Sequence, residues 1–385
     1  VTGGRLRAAW GGLCFALCSL AFLRAPTSAL WLAALLVTEG GRWLFLAPLL
    51  TLWPGWKATC AGRAGAALGL AAAALALLPL ARAAATARAL GLRPLTVSAA
   101  PRVLTDAPAR PAPLVWRDLY RGVRSPDVRE SAEIYVRPEG KSLTLELYRP
   151  KAASGPLPVV LFIHGGSWES GGRLDMPELA RYLAARGYAA ASIDYRLAPG
   201  AAFPAPVEDA RAALAFLKAN AARWSLDPGR VALVGRSAGA QIALAAAYGP
   251  KPLPGIRGVV DFYGPNDLWL AWTVPGNPRV IDSRRLLRQY LGGEPSQVPA
   301  VYDAASPILA VGPQSPPTLM IHGGRDELVW PLHEVRLSRA LTAAGVPNDF
   351  LELPWATHGC DYFASGPCGQ ISTWAVERFL AAVLR

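Results

Sequence analysis

Apolar positions follow two different patterns along the chain. In the first third they form long runs: Ala8 to Leu23 between arginines, then Ala29 to Val37 and Trp43 to Trp53 separated by a short polar break, then Ala64 to Ala81. Beyond residue 126 the runs are short, and most stop at a glycine or a polar residue. Leu157 to Ile163 ends at His164, Val231 to Val234 at Gly235, Pro317 to Ile321 at His322 and Asp349 to Leu353 just before Trp355, with Gly258 to Tyr263 a further run. Short continuous apolar segments bounded by turn residues mark strands buried on both faces, as in a parallel sheet. Between the last two lies an amphipathic stretch from Pro331 to Ala344. The pattern predicts an α/β fold, a mostly parallel sheet flanked by helices, preceded by an N-terminal transmembrane helical region.

Eighteen helical residues span about 27 Å, close to the hydrocarbon thickness of a bilayer. About three spans are therefore expected in residues 1–85. Glu39 and Arg42 interrupt the middle region, which reads either as one long span with a buried polar pair or as a re-entrant pair of short helices. A cleavable signal peptide behind Arg5 and Arg7 would explain the first run only. Residues 86–125, with Pro94, Pro101, Pro108, Pro111 and Pro113, read as a semi-stiff linker holding a catalytic domain, residues 126–385, off the bilayer. Arg5, Arg7, Lys57 and Arg63 favour a multi-pass membrane protein with this domain outside the cytoplasm, whereas Arg82, Arg88 and Arg93 argue the other way.

The candidate chemistry sits at the ends of the short runs. Gly235-Arg236-Ser237-Ala238-Gly239 places a serine between an apolar strand and the helix-forming Ala240 to Leu244. A turn tight enough to push a hydroxyl out of a strand end leaves no room for side chains two residues on either side, hence the glycines. The amides and dipole of the following helix point at the place where an oxyanion would form, and Ala238 would supply one donor. His164-Gly165-Gly166-Ser167-Trp168 follows another strand. Taken singly it is an ordinary glycine turn; taken with the serine turn, the amides of Gly165 and Gly166 complete an oxyanion hole, each donor worth around 3 kcal/mol.

Of the four histidines, His164 belongs to that loop as a brace, His322 comes too early in the chain order, and His333 falls on the amphipathic stretch as a helix-surface residue. His358, in a loop of small residues, remains as the base. Asp326 is the preferred acid, since Glu327 would point elsewhere and Asp361 lies too close to His358. The order Ser237, Asp326, His358 is that of nucleophile-elbow enzymes. His358 would take the serine proton, a positioned transfer typically worth about 10² to 10⁴ in rate, and Asp326 would fix the imidazole tautomer. The motif set calls for no metal and no cofactor: there is no ligand-spaced His/Cys cluster, phosphate loop or dinucleotide fingerprint.

From about Glu130 to its end the chain resembles the α/β-hydrolase esterase and lipase superfamily, in its hormone-sensitive-lipase-like and feruloyl-esterase-like (BD-FAE-like) groups. His164 to Trp168 is similar to the H-G-G-x-W motif. Asp194-Tyr195-Arg196-Leu197-Ala198-Pro199 and Phe203-Pro204-Ala205-Pro206-Val207-Glu208-Asp209-Ala210 resemble the D-Y-R-L-A-P and F-P-A-x-x-E-D-A stretches. Gly235 to Gly239 is similar to the elbow, and Ile321 to Asp326 with Trp355 to Gly359 to the acid and base loops. Ser167 stands where the longer H-G-G-G form has a third glycine, which leaves the number of oxyanion donors open.

The resemblance implies a serine hydrolase that cleaves small-molecule carboxylic esters through an acyl-enzyme. The alternatives are a small-amide hydrolase like the kynurenine formamidases and a non-catalytic binding module on the same fold. Asp267 to Pro307 is long for a connection, and its Trp269 and Trp272, with Trp168, are candidate substrate-binding residues; a core-covering role is the alternative. Cys360 and Cys368 flank the loop after His358 and either pair or remain buried thiols.

Composition adds little to this. The 385 residues are 52% hydrophobic, enough for a membrane region and one large core, and the net charge of +12 comes mainly from arginines scattered among Ala, Gly and Pro. No basic helix is interleaved with aromatics, so a nucleic-acid partner is not expected; arginines meeting lipid headgroups fit better.

Overall fold

A computed structural model describes residues 2–384 except 93–94, 101–104, 106, 153–154, 176 and 250–251. Pro94 and Pro101 of the expected linker, and Arg93, thus lie outside the described residues.

Among the described residues eight strands form one sheet: β1 (Val128–Val136), β2 (Leu143–Pro150), β3 (Leu157–Ile163), β4 (Ala189–Ile193), β5 (Leu226–Arg236), β6 (Ile256–Phe262), β7 (Thr318–Gly323) and β8 (Asn348–Leu353). Their order is β1-β2-β4-β3-β5-β6-β7-β8. β1 and β2 form an antiparallel hairpin whose second strand joins β4 antiparallel; every other pairing is parallel. Every residue of β3 is buried. Alternate side chains go to opposite layers, Val159, Leu161 and Ile163 to one core and Val160 and Phe162 to the other, so a continuous apolar run is what this strand requires.

The first core receives helices Ala205–Ala219, Ala238–Tyr248 and Leu332–Ala343; the second receives Pro177–Ala184 and Pro367–Val383. The connection from β6 to β7 folds into three short helices, Leu268–Thr273, Ser283–Leu291 and Pro299–Ala305, which cap the carboxyl ends of the parallel strands.

The N-terminal region is helical: Thr2–Ser19, Ser28–Leu44 and Cys60–Leu92, with short turns between. Among the described residues one helix, Cys60–Leu92, is long and apolar enough to cross a membrane, and Ser28–Leu44 with Leu46–Leu52, bent by 57°, would make a second if taken together. The helix Thr2–Ser19, which contains Arg5 and Arg7, does not qualify. These helices do not stand apart from the sheet. Leu35, Ala83, Ala87 and Leu90 share the second core with Leu119, Trp355 and Trp374. The described residues between them lie along the sheet layers too: the Thr96 and Val97 amides donate to Asp349 at 2.8 and 2.7 Å, and Ala99 donates to the Arg378 carbonyl. A carboxylate taking two successive amides pins this part of the segment down.

Candidate active site

Ser237 occupies the sharp turn between β5 and helix Ala238–Tyr248 at φ 50° and ψ −121°. An L-residue adopts such angles only when its surroundings impose them. Here the Ser237 amide is tied to the Phe262 carbonyl at 2.8 Å. A Cβ on Gly239 would lie 2.2 Å from the Ile163 carbonyl oxygen, and one on Gly235 2.4 Å from Gly239 O, so both flanking glycines are sterically required.

The structure brings the three residues singled out for catalysis together. Ser237 Oγ lies 3.0 Å from His358 Nε2, and His358 Nδ1 lies 2.6 Å from Asp326 Oδ2. With the carboxylate on Nδ1, that nitrogen carries the proton and Nε2 faces the hydroxyl as acceptor. Asp326 Oδ1 accepts the Leu328 and Val329 amides at 2.9 and 3.0 Å. Burial opposes its charge, but the His358 and His322 rings hold the carboxyl well below the usual range.

His322 stands on the far side of Asp326. Its Nε2 lies 3.0 Å from Asp326 Oδ2 and 2.9 Å from the Val329 carbonyl, and its Nδ1 3.0 Å from Glu334 Oε1. Both ring nitrogens thus face acceptors. Burial works against a charged ring, yet Asp326 and Glu334 raise the imidazole to about 10. Glu334 in turn accepts from Asn266 Nδ2 at 2.7 Å. The chain of contacts from Ser237 therefore runs past the acid to a second imidazole and a second carboxylate, which no spacing in the sequence announces.

The other histidines divide. His164 stacks on Tyr195 (centroids 4.2 Å apart), its Nδ1 lies 2.6 Å from Gly165 O, and burial lowers its pKa, so it braces the loop as a neutral ring. His333, expected on a helix surface, is instead buried; its Nδ1 accepts the Asp267 amide at 3.3 Å and burial, with His322 nearby, pushes it down to about 3. The rejected acids have other partners. Glu327 accepts the Ala25 amide, and Asp361 takes Arg236 Nε at 2.6 Å and the Tyr263 hydroxyl.

The motif blocks beyond the elbow are scaffolding. Arg196 is held by Asp209 through its amide (2.8 Å) and Nε (3.0 Å), and Asp194 takes the Arg173 amide and Nη1, both at 2.9 Å. These ties fix the ends of the turns beside Gly165 and Gly166. Among the described residues the amides of Gly165, Gly166 and Ala238 have no backbone acceptor.

A narrow cleft opens at Ser237, with Trp168, Ala238, Leu286, Leu287, Val329 and Trp330 among its walls. Trp168 is the one predicted tryptophan there: its ring stacks on Tyr290 (4.5 Å) and its indole N–H donates to Gln241 at 3.0 Å. Gln241 also accepts from the Tyr290 hydroxyl at 3.0 Å and donates to Ala305 O at 2.7 Å, tying the elbow helix to the cap. A lone polar residue in the fully buried helix Ala238–Tyr248 was its sequence signal. Trp269 and Trp272 turn to Tyr302 instead, with Trp269 Nε1 on Asp303 and Trp272 beneath Arg284, away from the cleft walls. Cys360 and Cys368 are joined in a disulfide, closing the loop after His358.

Residues 145–341, just over half of the chain, match the family model described as BD-FAE. The chain is similar to Esterase LipC of Mycobacterium tuberculosis, 33% identical over 256 residues, which are 63% of this chain and 62% of LipC. It is also similar to probable carboxylic ester hydrolase LipM of the same organism, 29% identical over 289 residues, 71% of this chain and 64% of LipM. The chain thus spans a little under two thirds of the length of these curated relatives. Among solved structures, an esterase of Pyrobaculum calidifontis aligns with a TM-score of 0.56 at 26% identity, covering 67% of this chain and 86% of that one. The sheet and helical layers are those of an α/β-hydrolase fold.

Proposed function

The chain belongs to the BD-FAE family, and from that premise we propose that it is a serine hydrolase cleaving small-molecule carboxylic esters. The observation that carries this reading is the unbroken series Ser237 Oγ, His358 Nε2, His358 Nδ1, Asp326 Oδ2, with contacts of 3.0 and 2.6 Å. His358 takes the Ser237 proton as Oγ attacks the ester carbonyl. The tetrahedral oxyanion is met by the amides of Gly165, Gly166 and Ala238, whose lack of backbone acceptors supports that role. Collapse expels the alcohol, protonated by His358, and leaves an acyl-Ser237 ester. Water activated by the same imidazole then releases the acid and restores the serine. Asp326 holds the tautomer and stabilises the imidazolium. The apolar walls of the cleft suit an apolar acyl or alcohol group, with Trp168 against it.

Ser237→Ala tests this directly. The full chain in membranes should take a fluorophosphonate label and hydrolyse p-nitrophenyl esters, and the variant should lose the label and all but a trace of turnover, a fall on the order of 10⁶ in kcat if the three groups act as a unit. Hydrolysis of N-formylkynurenine without any p-nitrophenyl ester turnover would sink the ester reading, and a wild-type chain that never takes the label would favour a binding module.

Residues 1–85 we assign to a bilayer-associated region, with 86–125 as the connector and 126–385 as the catalytic domain. Of the 25 exposed large hydrophobics among the described residues, 16 lie in the first of these, from Leu6 to Leu78. The Cys360–Cys368 disulfide supports a catalytic domain outside the cytoplasm, where disulfides persist.

A further inference from the structure

Helix Ser28–Leu44 has two faces with different business. Leu32, Leu36 and Leu44 are exposed, between 40% and 52%, as a lipid-facing surface would be. Trp31, Leu35 and Glu39, spaced four residues apart and so aligned along the helix, turn the other way onto the catalytic layer. The Trp31 indole N–H donates to Thr357 Oγ1 at 3.2 Å, one residue before His358. Glu39, 1% exposed, accepts the Trp355 indole N–H at 3.3 Å with one oxygen and the Cys368 amide at 3.0 Å with the other. Cys368 is the disulfide partner of Cys360, so Glu39 grips the base loop at both of its ends. Just ahead of the helix, the Ala25 amide donates to Glu327 at 2.8 Å, one residue past Asp326, and Arg24 lies 4.8 Å over the ring of Trp330, a wall of the cleft.

A bilayer anchor has no use for a buried carboxylate. Removing one from water costs several kcal/mol unless its oxygens find donors, and leucine would serve an anchor better. Glu39 spends both oxygens on the loop that carries His358. That loop leaves the end of an edge strand, the kind of place where local openings are cheapest, whereas proton transfer needs the imidazole placed to within a fraction of an ångström. We infer that helix Ser28–Leu44 is a working part of the catalytic centre, with Trp31 and Glu39 as positioning residues that hold the base loop so that His358 meets Ser237 and Asp326 at once. This rests on the assignment of those three residues as the reacting set.

The test uses the full chain in detergent or vesicles, with active sites counted by fluorophosphonate titration. Trp31→Phe and Glu39→Gln should each lower kcat per titrated site on p-nitrophenyl butyrate by about 10-fold, leave KM within about two-fold, and displace the acidic limb of the kcat/KM pH profile. Because Trp31 and Thr357 act through one hydrogen bond, the double variant Trp31→Phe/Thr357→Val should be no slower than the slower single variant. Wild-type kcat per site with an unmoved pH profile overturns the inference, whether or not fewer sites titrate, since a purely structural prop changes the number of sites and not their chemistry. Additive losses in the double variant overturn it as well. Should Glu39→Gln fail to accumulate, Trp31→Phe decides alone, because it removes one N–H and keeps an aromatic ring. If Ser237→Ala keeps label and turnover, the reacting set itself is wrong and both proposals fall; if Ser237→Ala is inert while both brace variants run at wild-type kcat, only the brace falls.

Discussion

Asp326 serves two imidazoles, and that sharing gives His322 a thermodynamic signature. Its ordinary pKa is 6.5 and the folded protein raises it to about 10, so the folded state holds a proton that the unfolded state gives up. The stabilisation is fully present below 6.5 and is lost as pH rises through about 10. Thermal unfolding of the full chain across that window should therefore show stability declining with pH, and His322→Gln should flatten the decline; an unchanged slope in the variant removes the charged-ring assignment. Elimination among four histidines pointed to His358 because a base needs a loop that presents its ring. It passed over His322 because the contact with Glu334 joins a strand end to a helix, and chain order carries no trace of that meeting. His333 misled for a related reason: amphipathic spacing says which face a residue lies on, not what covers that face.

At the scale of elements, the legible parts are those where burial on both sides leaves no choice of residue. β3, the second half of β5 from Val231 onward, and β7, with the loops at their ends, could be read because a parallel strand between two helical layers must be apolar throughout. β1 and β2 gave no such signal: β1 is an edge strand whose residues are mostly intermediate or exposed, and charges occur in both. The cap read as a long connection because its helices are short, and Trp269 and Trp272 look like pocket residues by type although they pack on Tyr302. The elbow is the least forgiving element. Gly239→Ala would press a methyl group against two carbonyl oxygens, those of Ile163 and His164, in backbone fixed by β3, so a loss of about 3 kcal/mol or more is expected from denaturant unfolding, together with loss of turnover. A variant within 0.5 kcal/mol of wild type, on the order of a neutral surface change, would contradict the packing described for this turn.

For the whole molecule, the sequence conveyed an apolar first third and a catalytic remainder but not how the two are joined. Length and hydropathy treat Glu39 and Arg42 as blemishes in a span; only the packing shows that Glu39 faces Trp355 and that Arg42 donates to the Leu119 carbonyl at 2.7 Å. If helix Cys60–Leu92 crosses the bilayer with the hydrolase on the outer side, the exposed, unpaired Cys60 lies on the inner side. A membrane-impermeant maleimide should then leave Cys60 unmodified in intact cells and react with it after permeabilisation; modification in intact cells would reverse the proposed topology.

The shared core around Leu35, Ala83, Ala87, Leu90, Leu119 and Trp374 has one more consequence. Covalent continuity is not what keeps anchor and enzyme in register. A single cleavage between Ala100 and Ala107 should leave a two-piece protein whose halves copurify and turn over substrate at the intact rate, so that releasing a free enzyme would require the interface to come apart and not merely the peptide bond.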